Sequence, residues 1–539
     1  MLRDLFNKNA YTIALLGLLV AVSYYNALFT PFMWDDKTLV VSNTGLQGGW
    51  DSLLAAFSPR LWGLRVDNEA FRSFYRPLHT VLSMIDYRIW GLNPFGFHLS
   101  NVLLHLFNTL LVFAFALKLS EERAASFFAA AIFAVHPVHT ESVTFISARV
   151  DLLCALFLLL SFHLYAFHPE PGYTRFGRGF GIRDILSMFL FLLALLSKEM
   201  AVTMPILLAL YTWFFEKWGR RAVRVAPYFV ILALYVVFRI LGLKAFAGQH
   251  GLKSDFLTVA FTASAAVLDY IRLLFFPYPL KAYYGIFWQP SLSAKVIAAF
   301  VLMLVSLAAV LWYLNRDRKL HAFVILWTYI SLLPVLNIGT LGEFSIAERY
   351  LYIPSIGFSI LAGLFFSSLL RDKLVGRYAP YAFALLVVVL AAATISRNGV
   401  WKDDVTFYSA MVKGAPGSAI PHANLGHAYL RAGDIEGAIS ELGEASRLSG
   451  GNPVIHYELG ALFIKTGRLN ESVAELRAAL EMKPDFVEAY NALGIAYAGL
   501  GENELALNAF ESVLRYDPSS EVASANIARI KASKNGKRR

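Results

Sequence analysis

Long apolar runs separated by short polar loops fill the chain up to about residue 400, after which small and apolar residues recur every 34 positions. The runs lie near 11–30, 98–117, 124–136, 142–167, 184–197, 200–215, 226–243, 256–276, 292–314, 321–339, 350–370 and 379–396. Many approach the ~20 residues a helix needs to cross the hydrocarbon of a bilayer. Lipid offers no partner to backbone N–H and C=O groups, so a spanning segment must satisfy them internally, as a helix does. The pattern therefore predicts a polytopic helix bundle. Basic residues gather between the runs, at Lys118/Arg123, Arg175/Arg178/Arg183, Lys217/Arg220/Arg221/Arg224, Arg316/Arg318/Lys319 and Arg371/Lys373/Arg377, and short basic loops stay in the cytoplasm. Strict alternation of every run puts the last two basic loops on the wrong side. Leaving 256–276, which carries Asp269 and Arg272, at the interface repairs both. About eleven spans then place the N-terminus inside, and the long loop 31–97 and the C-terminal repeats outside.

Composition agrees with lipid as the solvent. The 539 residues are 57% hydrophobic and 16% charged, against about a quarter charged in soluble domains. The net charge of +10 sits mostly in the loops and calls for no nucleic-acid partner. Cys154 is the single cysteine, so no internal disulfide forms. The first run is longer than the ~7–15 apolar residues of a signal-peptide core, and a retained anchor is expected.

Gly426, Gly460 and Gly494 are 34 apart, as are Gly433, Gly467 and Gly501. Tyr429/Phe463/Tyr497 and Ala438/Ser472/Ala506 keep the step, and Pro484 and Pro518 close the second and third units. This is the tetratricopeptide pattern, paired helices whose apolar faces are buried by stacking. The expected domains are a membrane unit 1–400, a linker or worn half-repeat 401–418, three repeats 419–520 and a basic tail 521–539. Such an array presents a surface to a protein or peptide partner.

Candidate chemistry lies in the polar groups at or beside the spans, where ionisable residues are costly and commonly functional. Asp35 and Asp36 follow the first span. A carboxylate there can take the proton of an acceptor hydroxyl, and the pair can hold a divalent cation; a plain solvated loop is the alternative. His136, His139 and Glu141 suit metal or phosphate contact but match no strong zinc spacing; helix capping by Thr140 and Glu141 is the other reading. Arg149 suits a lipid phosphate, or pairs with another helix together with Asp151. Lys198 sits in a short turn that ordinary turn chemistry explains, with contact to a phosphate as the other reading. Arg349, between Glu348 and Tyr350, is a candidate for an anionic leaving group or an interface anchor. Arg76 opens an aromatic-rich segment of the first loop that suits the membrane surface. His98, Asn101, His105 and Asn108 share one helical face, where interhelical hydrogen bonding explains them without a ligand.

Taken together, Trp34-Asp-Asp36, Arg76-Pro-Leu78, His98-x-x-Asn101-x-x-x-His105, His136-Pro-Val-His-Thr-Glu141, Arg149-x-Asp151, Ser197-Lys-Glu199 and Glu348-Arg-Tyr-Leu-Tyr-x-Pro354, followed by the repeats, resemble the transmembrane and tetratricopeptide-repeat protein O-mannosyltransferases. The resemblance implies an all-α GT-C type glycosyltransferase that moves a sugar, mannose in the family, from a polyprenyl phosphate to Ser/Thr hydroxyls. By position Asp35 or Asp36 serves the acceptor. Arg349, with Arg149, His139 or Lys198, neutralises the phosphate, supported by His136, Glu141, Asp151, Glu348, Tyr350 and Arg76. The short repeat array is similar to a bacterial relative, which implies an inner-membrane protein with a periplasmic active face. A lipid or glycan acceptor, and a scaffold or transporter without catalysis, stand as alternatives.

Overall fold

The computed structural model describes residues 2–48, 53–54, 56–57, 75–167, 181–216, 222–242, 255–285, 288–336 and 346–536. Every regular element among them is helical. The chain divides by contact into two units, 1–403 and 404–539. Most of the 31–97 loop between residues 49 and 74, and the basic loop positions Arg175, Arg178, Lys217, Arg220 and Arg221, lie outside the described residues.

In the first unit seven helices are long and apolar enough to cross a membrane: Asn9–Phe29, Pro94–Ser120, Ile146–Ala166, Phe256–Phe275, Ala294–Asn315, Lys319–Leu336 and Ala379–Trp401. Four shorter apolar helices accompany them, Arg123–Val135, Glu199–Phe215, Ala226–Leu241 and Pro354–Leu370. Local chemistry sets the ends. Asn93 accepts from Phe95 N ahead of Pro94, Asp255 from Thr258 N, and Ser293 from Val296 N, each satisfying an amide that the first turn leaves without a helical partner. Phe256–Phe275 has the length and apolarity of its neighbours, so helix length gives no reason to leave it at the interface. Its Asp269 pairs with Lys295 of the next helix at 2.6 Å.

Without a hydrophobic drive between helices in lipid, close approach through small residues holds such bundles together. Pro354–Leu370 follows this rule. A Cβ on Gly363 would stand 2.3 Å from Ala125 O, and one on Gly357 would stand 2.5 Å from Val324 O. These glycines bring the helix against Arg123–Val135 on one side and Lys319–Leu332 on the other. The polar stripe ties Pro94–Ser120 to Arg123–Val135, to Arg149–Ala166 and to the turn before Pro354. His105 meets Tyr352 OH at 2.8 Å and Ala134 O at 3.1 Å, and Asn108 donates to Leu152 O at 2.9 Å.

The second unit stacks the helix pairs Ala419–Ala432/Ile435–Ser449, Pro453–Lys465/Leu469–Met482 and Val487–Leu500/Asn503–Tyr516. The two glycine series have separate causes. Gly433, Gly467 and Gly501 sit at φ +83°, +75° and +80°, the left-handed turn that ends a helix and that glycine adopts without strain. A Cβ on Gly426, Gly460 or Gly494 would come within 2.7, 2.5 and 2.6 Å of Leu442, Leu476 and Phe510, so these glycines admit the partner helix. Gly460→Val is accordingly expected to destabilise its repeat by about 1–3 kcal/mol through overpacking, read as lost hydrogen-exchange protection in Pro453–Lys465 and Leu469–Met482. Residues 404–414 form a single helix, Asp404–Gly414, within the repeat unit. The basic tail carries the helix Glu521–Gly536, with Ala523 and Ile530 buried in the repeat core.

Candidate functional site

The first span leaves the bundle at Thr30, whose hydroxyl and carbonyl both meet His98 Nε2, at 2.9 and 3.0 Å. That clamp fixes where the following loop starts. Trp34 then adopts φ +46°, a left-handed conformation uncommon for a non-glycine residue. Its ring stacks on Phe145 at 5.7 Å, and Phe145 stacks on Trp401 at 5.2 Å. Adjacent aspartates thereby receive opposite environments.

Asp36 turns inward and is 1% exposed. Its Oδ1 accepts from Ser147 N at 2.8 Å and Ser147 Oγ at 2.5 Å, and its Oδ2 from Met33 N at 3.1 Å. Burial nevertheless pushes its pKa up to about 7. Asp35 is partly exposed and has no hydrogen bond or ion pair among the described residues. Burial raises its pKa above the usual carboxylate value, opposed by the nearby guanidinium groups of Arg349 and Arg76.

Arg349 and Arg76, the cations near Asp35, belong to a set of ion pairs contributed by six separate segments. Arg349 binds Glu141 through its guanidinium and its backbone N–H. Lys198 binds Asp151 at 2.6 Å. Arg76 and Arg239 both hold Glu199, at 3.1 and 2.6 Å. Lys198 and Arg349 also lie over the ring of Tyr350, at 5.0 and 5.3 Å. Side chains of Arg76, Arg239 and Arg349 keep 21, 11 and 18% exposure, whereas Lys198 keeps 5%. An arginine bound to one carboxylate retains further N–H donors, so the three arginines can engage an anion without leaving their partners.

Other expected phosphate ligands are enclosed. Arg149 is fully buried and donates to Asp86 Oδ2 at 2.6 Å, Asn101 Oδ1 at 3.1 Å and Phe97 O at 3.0 Å. The pairing alternative describes it, with Asp86 on the helix Pro77–Trp90 as the partner. His139 is fully buried, its Nδ1 donating to Phe133 O at 2.9 Å and its Nε2 meeting Ser355 Oγ at 2.8 Å. Burial holds it far below the usual imidazole range and takes His136 down to about 4, so neither ring carries a charge to offer a phosphate. His136 bridges Leu274 O at 3.0 Å and Val138 N at 3.4 Å. Glu141 does not cap its own turn; it reaches across to Arg349. No grouping of three metal-type side chains occurs among the described residues.

Glu348 has no exposure and accepts from Lys281 N at 2.7 Å, Tyr284 OH at 2.9 Å and Arg397 at 3.2 Å. It ties the Arg349 turn to two other segments, and burial raises its pKa to about 7. Sequence reading passed over Asp86, Arg239, Tyr284 and Arg397. Arg239 carried a usable signal, a cation inside the apolar run 226–243; the other three have their roles set by partners distant in sequence.

An all-helical membrane unit with charges converging at one end, followed by tetratricopeptide repeats, defines the class. Two family models match the repeats, described as TPR repeat over 460–501 and tetratricopeptide repeat over 487–520. Beyond them the chain is similar to proteins named protein O-mannosyl-transferases. It is 28% identical to protein O-mannosyl-transferase F38B6.6 of Caenorhabditis elegans, covering 75% of this chain and 58% of that protein. It is 24% identical to protein O-mannosyl-transferase TMTC3 of Mus musculus, covering 82% and 51%. A shorter match to Tmtc1 of Drosophila melanogaster reaches 33% identity over 39% of this chain and 24% of that protein. The chain thus spans about half to three-fifths of the length of the first two. The crystal structure of MamA aligns with 24% of this chain and 77% of its own, at 23% identity and a TM-score of 0.24.

Proposed function

We propose that the protein is a GT-C type glycosyltransferase that moves a sugar from a polyprenyl-phosphate donor to a Ser or Thr hydroxyl of a protein, at the non-cytoplasmic membrane face. The observation that carries this reading is Asp35: a partly exposed carboxylate without a bonded partner among the described residues, beside Arg349 and Arg76. A general base must be ionised and free to meet the proton it removes, and a departing phosphate needs fixed donors.

Asp35 takes the acceptor hydroxyl proton, and the oxygen attacks the anomeric carbon from the face opposite the phosphate. The bond from that carbon to the phosphate oxygen breaks with inversion, and the electron pair leaves on polyprenyl phosphate. Arg349 and Arg76, with Arg239, stabilise that charge. Glu141 and Glu199 aim the three arginines, Lys198 and Asp151 support Tyr350, and Asp36 anchors the turn. The carboxylate pair offers a cation one free carboxylate, Asp35.

Mannose is the sugar named in the relatives, and the basic loops support an external Asp35 with a cytoplasmic N-terminus. In a bacterial inner membrane that face is periplasmic, and the repeats would hold the protein acceptor or a partner. The test is full-length protein in proteoliposomes with mannose-labelled polyprenyl phosphate and periplasmic protein. Label on Ser or Thr by mass spectrometry is expected. Label confined to lipid or glycan, or no sugar released, would overturn the acceptor or the reaction.

A further inference from the structure

The membrane unit also contains a cavity of about 1250 Å³ that runs along Pro354–Leu370 and reaches the end of that helix remote from Arg349. Its wall runs from Phe358 to Ser368, about 15 Å at the helical rise of 1.5 Å per residue. Ile132, Leu274, Phe275, Leu361 and Leu390 make that wall apolar. His136, the polar side chain at its deep end, already has both ring nitrogens bonded. The mouth is different in character: Arg318, Lys319, His321 and Arg371 line it together with Glu122 and Asp317.

These charges are unequally engaged. Glu122 is held by Arg371 at 2.8 Å and Ser367 at 2.7 Å. Lys319 and Asp317 form an exposed pair at 3.5 Å, which contributes little. The exposed Arg318 side chain has no hydrogen bond or ion pair among the described residues. The 14-residue helix Lys319–Leu332 begins here with no side-chain cap and no acid in its first turn, and a helix start left this way favours an anion. Apolar walls of this length beneath a cationic mouth match one amphiphile: acyl chains below, a phosphate above.

We propose that this cavity binds an anionic phospholipid of the leaflet facing the basic loops, its phosphate at Arg318, Lys319 and the start of Lys319–Leu332. Basic groups beside a span attract the anionic lipids of that leaflet. The site lies at the other end of the bundle from Asp35, and its occupancy does not depend on the transferase reading.

The test is native mass spectrometry of the full-length protein from nanodiscs of equal phosphatidylglycerol and phosphatidylcholine. Wild type should keep phosphatidylglycerol preferentially. The double variant R318A/K319A should lose that preference by about thirtyfold, as expected for two basic side chains at an anionic surface. Ala362→Trp, which fills the apolar wall, should lose the lipid whatever its headgroup, while thermal unfolding shows whether each variant is folded. Equal retention of both lipids, or an R318A/K319A preference like wild type, would overturn the proposal. So would displacement by added polyprenyl phosphate, which would make the cavity part of a donor path.

Discussion

Asp35→Asn should lower sugar transfer by about 10²–10⁴-fold, the usual contribution of a positioned general base, while the melting temperature stays at the wild-type value. The two measurements belong together because the neighbouring substitution should behave in the opposite way. Asn at position 36 still offers an oxygen to Ser147 but turns an amide donor toward Met33 N–H, which the aspartate now accepts. A buried donor left without an acceptor costs about 1–3 kcal/mol, so Asp36→Asn should melt lower. The pH profile gives a further readout. Burial places Asp35 above the ordinary carboxylate range, and the base works ionised. Transfer should therefore fall with decreasing pH, at a point above the ordinary carboxylate range, and the residual rate of Asp35→Asn should lack that limb. Full transfer by Asp35→Asn in proteoliposomes would remove the base assignment.

Arg149→Met should be the most destabilising single change in the membrane unit. It strands Asp86, whose side chain is 3% exposed, and leaves Asn101 Oδ1 and Phe97 O without a donor they now have. Removing one member of a buried pair costs about 3–5 kcal/mol, visible as a lower melting temperature in detergent. Replacing both members, as Arg149→Met with Asp86→Leu, should recover much of the loss, because apolar side chains of similar volume avoid the desolvation penalty. A phosphate-binding role predicts another result: a stable Arg149→Met protein with weakened donor binding. That outcome would reverse the placement of Arg149 as a fold cation.

These two expectations mark where sequence reading was strong and where it stopped. The repeat glycines were legible because each 34-residue step repeats the same local demand, a left-handed turn or a close helix contact. The stripe from His98 to Asn108 was legible because helical spacing puts it on one face. Choosing between Asp35 and Asp36 was not, since the left-handed Trp34 and its stack on Phe145, more than a hundred positions away, decide which carboxylate turns inward.

A polytopic helical unit, a 34-residue helical array and a set of charged residues at span ends are all written in local patterns of residues. Periodicity and transfer energy act over a few turns and leave their mark locally. Helix packing is what closes Arg149 on Asp86, Arg349 on Glu141, and Arg76 with Arg239 on Glu199. A cation's role depends on how much water and how many acceptors surround it, and those neighbours arrive from distant segments when the helices pack.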